Sequence, residues 1–162
     1  EGRAASPRRP WAFSGPGRCS MTAPGGAMGG CAQKISSSSS SSATIISADH
    51  RLLAKLVYAE ARGESYKGQV AVAAVVLNRV ESASFPNTIS GVIYQSGAFS
   101  CVSNGSINNT PDSTAIRAAL DALNGWDPTG GCLYYYNPRK TDDEWIRTRT
   151  VKTVIGNHYF AV

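Results

Sequence analysis

At 162 residues the chain has room for one compact domain with a core of its own and hardly for two. An apolar fraction of 42% against 17% charged suits a soluble globular protein, and no run of 18 or more apolar residues is present to span a membrane. The formal charge of +5 divides into +3 over residues 1–50 and +2 over 51–162; without Lys and Arg clustered on one face it gives no nucleic-acid footprint, while mild positive charge suits an anionic polymer.

Residues 1–43 show no helical or strand period. Scattered Pro, Gly and Arg lead into seven consecutive serines, Ser36 to Ser42, the composition of a flexible linker. No continuous apolar stretch of secretory-signal length appears. The segment is expected to be a disordered leader and Ser-rich linker, either an expression leader or a natural tether, and the folded domain is placed at 44–162.

A first helix is expected from Ser47, an N-cap with Asp49 in the first turn, to near Gly63. Leu53, Leu56, Val57 and Glu60 share one face of it. A second helix runs from Tyr66 to Glu81, and its centre, Val70 to Leu77, is apolar on every side, as in a helix buried mid-domain. Phe85-Pro86 breaks the chain, and a short helix is expected around Thr88 to Tyr94. Gly97 to Thr110 reads as hairpin or loop, with Asn104-Gly105 as the turn. The next helix has Thr110 as cap, Pro111 at the first helical position, an apolar face of Ile116, Ala119, Leu120 and Leu123, and Gly125 as its stop. Strands are expected at Cys132–Tyr136, Val151–Ile155 and Tyr159–Val162, with Gly156-Asn157 as the turn between the last two. The sum is an α+β domain.

Glu60 is the first candidate for chemistry. A carboxylate on an apolar stripe faces the core or a cleft wall, and burial favours the protonated acid that a glycosidase needs. The competing reading is a structural ion pair with Arg79. Glu64 lies four residues on, but Gly63 intervenes and the start of the second helix gives Glu64 a dipole role. Asp112 serves its helix terminus, Asp127 belongs to a Trp-Asp-Pro turn, and Asp142, Asp143 and Glu144 read as a solvated loop. Glu60 therefore has no evident partner carboxylate, which argues against a two-carboxylate retaining mechanism.

In Tyr134-Tyr135-Tyr136-Asn137 strand alternation sends the middle ring to the opposite face, so one face packs on the core and the other can line a groove. The four cysteines include no C-x-x-C pair and only two His are present, so no zinc site is expected. Cys101 and Cys132 are compatible with a disulfide or with two inert buried thiols. A Cys–His site using either of them with His158 is a minor alternative. No P-loop, dinucleotide fingerprint or Gly-x-Ser-x-Gly motif appears.

The stretch Leu53-Ala54-Lys55-Leu56-Val57-Tyr58-Ala59-Glu60-Ala61-Arg62-Gly63-Glu64 resembles cell wall hydrolases of the germination-specific spore cortex-lytic type. The resemblance continues through Gly68 to Val80, at Phe85-Pro86, Gly91 to Tyr94, Ala122 to Gly131, Leu133 to Pro138 and Gly156 to Phe160, so it covers about residues 50–162. It implies a lysozyme- or lytic-transglycosylase-like helical core with a small antiparallel sheet. It implies cleavage of peptidoglycan between N-acetylmuramic acid and N-acetylglucosamine, leaving 1,6-anhydro-muramic ends, with muramic-lactam aiding recognition of spore cortex. Glu60 matches the catalytic Glu, serving first as acid and then as base, which removes the need for a second carboxylate. Tyr94, Phe99, Tyr134, Tyr136, Asn137 and Trp145 are the residues expected to bind substrate. No cofactor, metal or nucleic-acid partner is expected; a monomer acting outside the cytoplasm, in spore cortex or wall, is. The alternatives are a muramidase that uses water and a non-catalytic wall-binding module. A peptidoglycan-binding repeat, which many members carry, is not visible in this sequence.

Overall fold

The computed structural model describes residues 47–162. The expected leader and linker at 1–43 lies outside the described residues, as do 44–46. The chain order is α1 (Ala48–Ala61), α2 (Tyr66–Glu81), α3 (Ile89–Ile93), α4 (Ser100–Ser103), a 3₁₀ turn (Ser106–Asn108), α5 (Ser113–Leu123), β1 (Tyr134–Tyr136), α6 (Glu144–Arg147), β2 (Val151–Ile155) and β3 (His158–Ala161). The expected α+β architecture is the observed one.

Helix α1 starts where its cap predicts: the Ser47 hydroxyl accepts from the His50 N–H at 3.1 Å. Leu53, Leu56 and Val57 are buried on its inner face. Arg62 is the C-cap, its N–H reaching Tyr58 O at 3.3 Å. The all-round apolarity of α2 has a direct cause. Val70, Ala73, Val76, Leu77 and Val80 pack into a core shared with α1, α3 and α5, while Ala71 and Val75 pack into a second core with Cys132, Ile155 and Phe160 of the sheet side. The helix is sandwiched between the two.

Two sequence expectations give way here. Asn104-Gly105 does not turn a hairpin. Asn104 caps α4, Gly105 takes the left-handed conformation at φ +80°, and the 3₁₀ turn follows. Asn-Gly makes hairpins only between alternating strands, and this segment instead anchors through buried Cys101 and Ile107. Helix α5 begins two residues later than expected. Asp112, not Thr110, is the cap, and its carboxylate accepts from the Ala115 N–H at 2.7 Å; an Asp outcompetes a Thr for this role. The buried stripe of α5 is Ala115, Ala118, Ala119 and Ala122, with Ile116 and Leu123 packed at its margins. Alanines let α5 lie close against α1 and α2. Its end forms a Schellman turn: Gly125 N–H to Ala122 O at 2.9 Å and Trp126 N–H to Asp121 O at 3.0 Å.

The sheet has the order β1-β3-β2, antiparallel throughout. Tyr134, Tyr135 and Tyr136 pair with Ala161, Phe160 and Tyr159. Gly156-Asn157 makes the two-residue turn expected between β2 and β3. A buried polar network ties α2 to β1. Asp127 accepts from the Thr129 N–H and hydroxyl at 2.9 and 2.6 Å and from the Gly131 N–H at 2.8 Å. Asn78 donates to Cys132 O at 2.8 Å, and the next residue, Arg79, donates through Nε to Leu133 O at 2.7 Å. Two consecutive side chains of α2 thus hold the two carbonyls that lead into β1.

Candidate active site

An open groove of about 730 Å³ runs between the end of α1, the 95–106 segment, β1 and the 137–146 segment. Glu60 lies on its wall, one turn beyond Leu56 and Val57, where the α1 stripe leaves the core. The side chain is half-buried. Its Oε1 accepts from the Cys101 N–H at 3.3 Å, and its Oε2 accepts from the Tyr135 hydroxyl at 3.3 Å. Arg79 does not pair with it; that guanidinium is engaged with Leu133 O and with aromatic rings.

Two further carboxylates line the groove, and both have structural work. Glu64 accepts from the Asn157 backbone N–H at 3.2 Å and its side-chain amide at 3.0 Å, tying the β2–β3 turn to the start of α2. Gly156 makes that approach possible: at φ +60°, a Cβ there would collide with Glu64 Oε2. Burial alone pushes the Glu64 carboxyl up, but the Asn157 donors, with His158 and Lys140, more than offset it and leave it below the usual carboxylate value. Asp143 caps α6 by accepting from the Trp145 N–H at 2.9 Å. The 142–144 run, expected as a solvated loop, is therefore partly the entry to a short helix.

Of the residues expected to bind substrate, Phe99, Tyr134, Tyr136, Asn137 and Trp145 line the groove with Glu60, whereas Tyr94 is not part of its lining and is 54% exposed outside it. Tyr94 is the C-cap of α3, one residue before the lining begins at Gln95. Trp145 stands half-exposed on α6, edge-on to Tyr134 at 5.4 Å, with the Arg149 guanidinium 4.0 Å from its ring centre. Phe99 and Tyr136 are mostly buried and shape the wall more than they offer an open face.

Sequence reasoning gave no site role to Tyr135 and none beyond a minor alternative to Cys101 and His158. Tyr135 is the middle ring of the tyrosine triplet. It packs on His158 and Phe160 at 5.3 and 5.9 Å between ring centres and sends its hydroxyl through to Glu60. Burial first, then the Glu60 charge, holds that phenol well above its ordinary value, so it is a donor. Strand alternation set this ring on the face opposite Tyr134 and Tyr136; only the fold shows that face packing on the core and reaching Glu60.

Cys101 and Cys132 are free and buried, in different cores. Burial, then the hydrogen bond and charge of Glu60, pushes the Cys101 thiol up to about 12, and burial raises Cys132 as well. A thiol held protonated is a poor nucleophile, so the Cys–His alternative loses its support. His158 is buried beside Tyr135; burial holds it below its ordinary value against the pull of Glu64 and Glu60. Among the described residues no group of three or more His, Cys, Asp or Glu is arranged to hold a metal, and no helix is long and apolar enough to cross a membrane.

Fold and groove define a small α+β domain in which Glu60 is held by Cys101 and Tyr135 on the wall of an aromatic-lined groove. The chain belongs to the cell wall hydrolase family, whose model matches residues 63–161. That span begins just after Glu60. The chain is 59% identical over 112 residues to a spore cortex-lytic enzyme of Bacillus cereus, and 53% identical over 112 residues to one of Bacillus subtilis. Each match takes in 69% of this chain, but 43% and 37% of those relatives' lengths. Among solved structures it is similar to the catalytic domain of the SleB protein of Bacillus cereus, with TM-score 0.67, 58% identity and coverage of 70% of this chain and 89% of that one. It is likewise similar to the catalytic domain of the germination-specific lytic transglycosylase SleB of Bacillus anthracis, with TM-score 0.68, 57% identity and coverage of 70% and 93%. The expected fold is that of these catalytic domains.

Proposed function

We propose that this domain cleaves the glycan strands of spore cortex peptidoglycan between N-acetylmuramic acid and N-acetylglucosamine during germination, as a lytic transglycosylase acting outside the cytoplasm. The observation that carries the reading is the division of labour among the groove carboxylates. Glu64 is held by Asn157 at the β2–β3 turn and Asp143 caps α6, whereas Glu60 stands on the groove wall between donors of Cys101 and the Tyr135 hydroxyl, on the elements that form that wall. The likeness to catalytic domains so named supports the substrate and the reaction.

In this mechanism protonated Glu60 gives its proton to the glycosidic oxygen as the bond to the muramoyl C1 breaks, and the N-acetylglucosamine end leaves as an alcohol. The muramoyl 6-hydroxyl then bonds to C1, and its proton passes to Glu60. One carboxyl serves both steps and no water enters. Donors from Cys101 and Tyr135 hold the side chain in place through both steps. Trp145 and Tyr134 supply ring faces and Asn137 the amide that a sugar chain needs, while Phe99 and Tyr136 shape the wall behind them.

Glu60→Gln keeps the shape and the hydrogen-bonding oxygen but holds no proton to give. It is expected to lower release of soluble fragments from purified cortex by roughly 100-fold or more, with an unchanged thermal melt. Equal digestion by the variant removes Glu60 from the reaction. A protein that binds cortex but releases nothing in either form is a wall-binding module.

A further inference from the structure

Arg79 is the odd charge of this groove. Its side chain is 8% exposed, yet it lines the groove that holds Glu60. A buried cation normally has a counter-ion, because desolvating an unpaired charge is costly. Arg79 has none: burial and the phenols of Tyr135 and Tyr134 are what act on its charge, with no carboxylate among them. Nε donates to Leu133 O at 2.7 Å, and the rings of Phe85, Phe99 and Tyr134 stand 5.1, 5.2 and 5.6 Å from the guanidinium carbon. Among the described residues, the enclosed polar side-chain atoms left without a partner belong to Asn78, Arg149 and His158. The Arg79 terminal nitrogens have no acceptor either, so they are the ones open to the groove. The place therefore joins a fixed fork of charged donors to apolar ring surface.

We propose that the terminal nitrogens of Arg79 donate to the N-acetyl carbonyl of an N-acetylglucosamine unit, with the acetyl methyl against the surrounding rings, so that the groove selects N-acetylated glycan over glycan with a free amine. The inference rests on the reading of the groove as a peptidoglycan site. On a cortex strand the muramic acyl group is closed in an amide, so the sugar backbone offers acceptors and no carboxylate. Amide oxygens are its strongest acceptors, ahead of hydroxyls and ring oxygens. The N-acetyl group alone pairs such an oxygen with a free-standing methyl, which is the pairing that a guanidinium beside Phe85, Phe99 and Tyr134 fits. The rings keep water from competing, which strengthens the charge-assisted hydrogen bond. Removing the acetyl group has two consequences at this place. The acceptor is lost, and the amine that replaces it takes up a proton and is repelled by the guanidinium.

The test uses the full chain carrying Glu60→Gln, which holds oligosaccharide without cutting it. Three probes are titrated calorimetrically: a tetrasaccharide released from spore cortex by muramidase, the same compound N-deacetylated on its glucosamine units, and the deacetylated compound re-acetylated with acetic anhydride. The muramic groups are the same in all three. The first and third probes are expected to bind about tenfold tighter than the second or more. Adding Arg79→Met should bring the three to one affinity, and Arg79→Lys should keep only part of the preference. Equal affinity for the acetylated and deacetylated probes in the Arg79 protein overturns the proposal without any reliance on a variant's folding. A loss of affinity that Arg79→Met inflicts equally on all three probes also overturns it, since it marks Arg79 as a structural peg. Failure of the Arg79 protein to bind either the acetylated probes or intact cortex overturns the peptidoglycan reading itself.

Discussion

Glu60 and Tyr135 are 75 positions apart in the chain and meet through one hydroxyl. The position of Glu60 was legible in the sequence because a 3.6-residue period extends a visible stripe, and the stripe ended on a carboxylate. Tyr135 was not legible, since no local pattern says that the inner face of a strand opens onto the end of a helix. Its hydroxyl holds Glu60 without being the acid, so it is a positioning residue. Tyr135→Phe keeps the ring contacts with His158 and Phe160 and removes the donor. A hydrogen bond to a charged group contributes about 1.5–3 kcal/mol, so kcat on cortex fragments is expected to fall roughly tenfold or more with KM little changed. A rise in KM at constant kcat would instead make Tyr135 a substrate-binding residue.

Among the elements, α2 shows how little of a site is visible one segment at a time. Its apolar centre announced a buried helix, and of the two polar residues after it only Arg79 drew a role, as an ion-pair partner of Glu60 that it does not become. In the fold, Asn78 and Arg79 hold the carbonyls of Cys132 and Leu133 and so set where the tyrosine strand begins. Helix α5 carries the converse lesson. The expected face of Ile116, Ala119, Leu120 and Leu123 shares only Ala119 with the buried stripe, and Ala118 and Ala119 are its residues with no exposure, because close helix approach favours the smallest ones. Ala118→Leu is expected to destabilise the domain by about 1–3 kcal/mol through overpacking, measured as a lower urea midpoint at unchanged slope. An unaltered midpoint would show that α5 has room to move away from α1 and α2. Asn104-Gly105 misled because the dipeptide fixes a left-handed glycine but not what surrounds it; here it stops a helix.

At the scale of the whole domain, His158 and Glu64 are two groups whose folded environment couples stability to acid. His158 is kept neutral by burial, below its ordinary value of 6.5. Below about that pH the unfolded chain binds a proton that the folded state resists, so stability falls as pH drops through it. Glu64 is held below its ordinary 4.5 chiefly by Asn157, against the opposing effect of burial. Its contribution is full above that value and disappears as pH falls through the lower folded one. Urea unfolding at a series of pH values should therefore show two acid losses. His158→Phe should flatten the upper one and Asn157→Ala the lower; a profile indifferent to both would assign acid unfolding to other groups.

The architecture followed from periodicity and caps, and the family's motifs pointed to the reaction. The groove needed the fold, since it joins α1, the 95–106 segment and β1. The central requirement of the mechanism is that one carboxyl performs both proton transfers with no water consumed. The direct measurement is mass spectrometry of the fragments this chain releases from purified cortex in ¹⁸O-labelled water. Transglycosylation gives 1,6-anhydro-muramic ends without label. Reducing muramic ends that carry ¹⁸O would contradict it and leave Glu60 as the acid of a water-using muramidase.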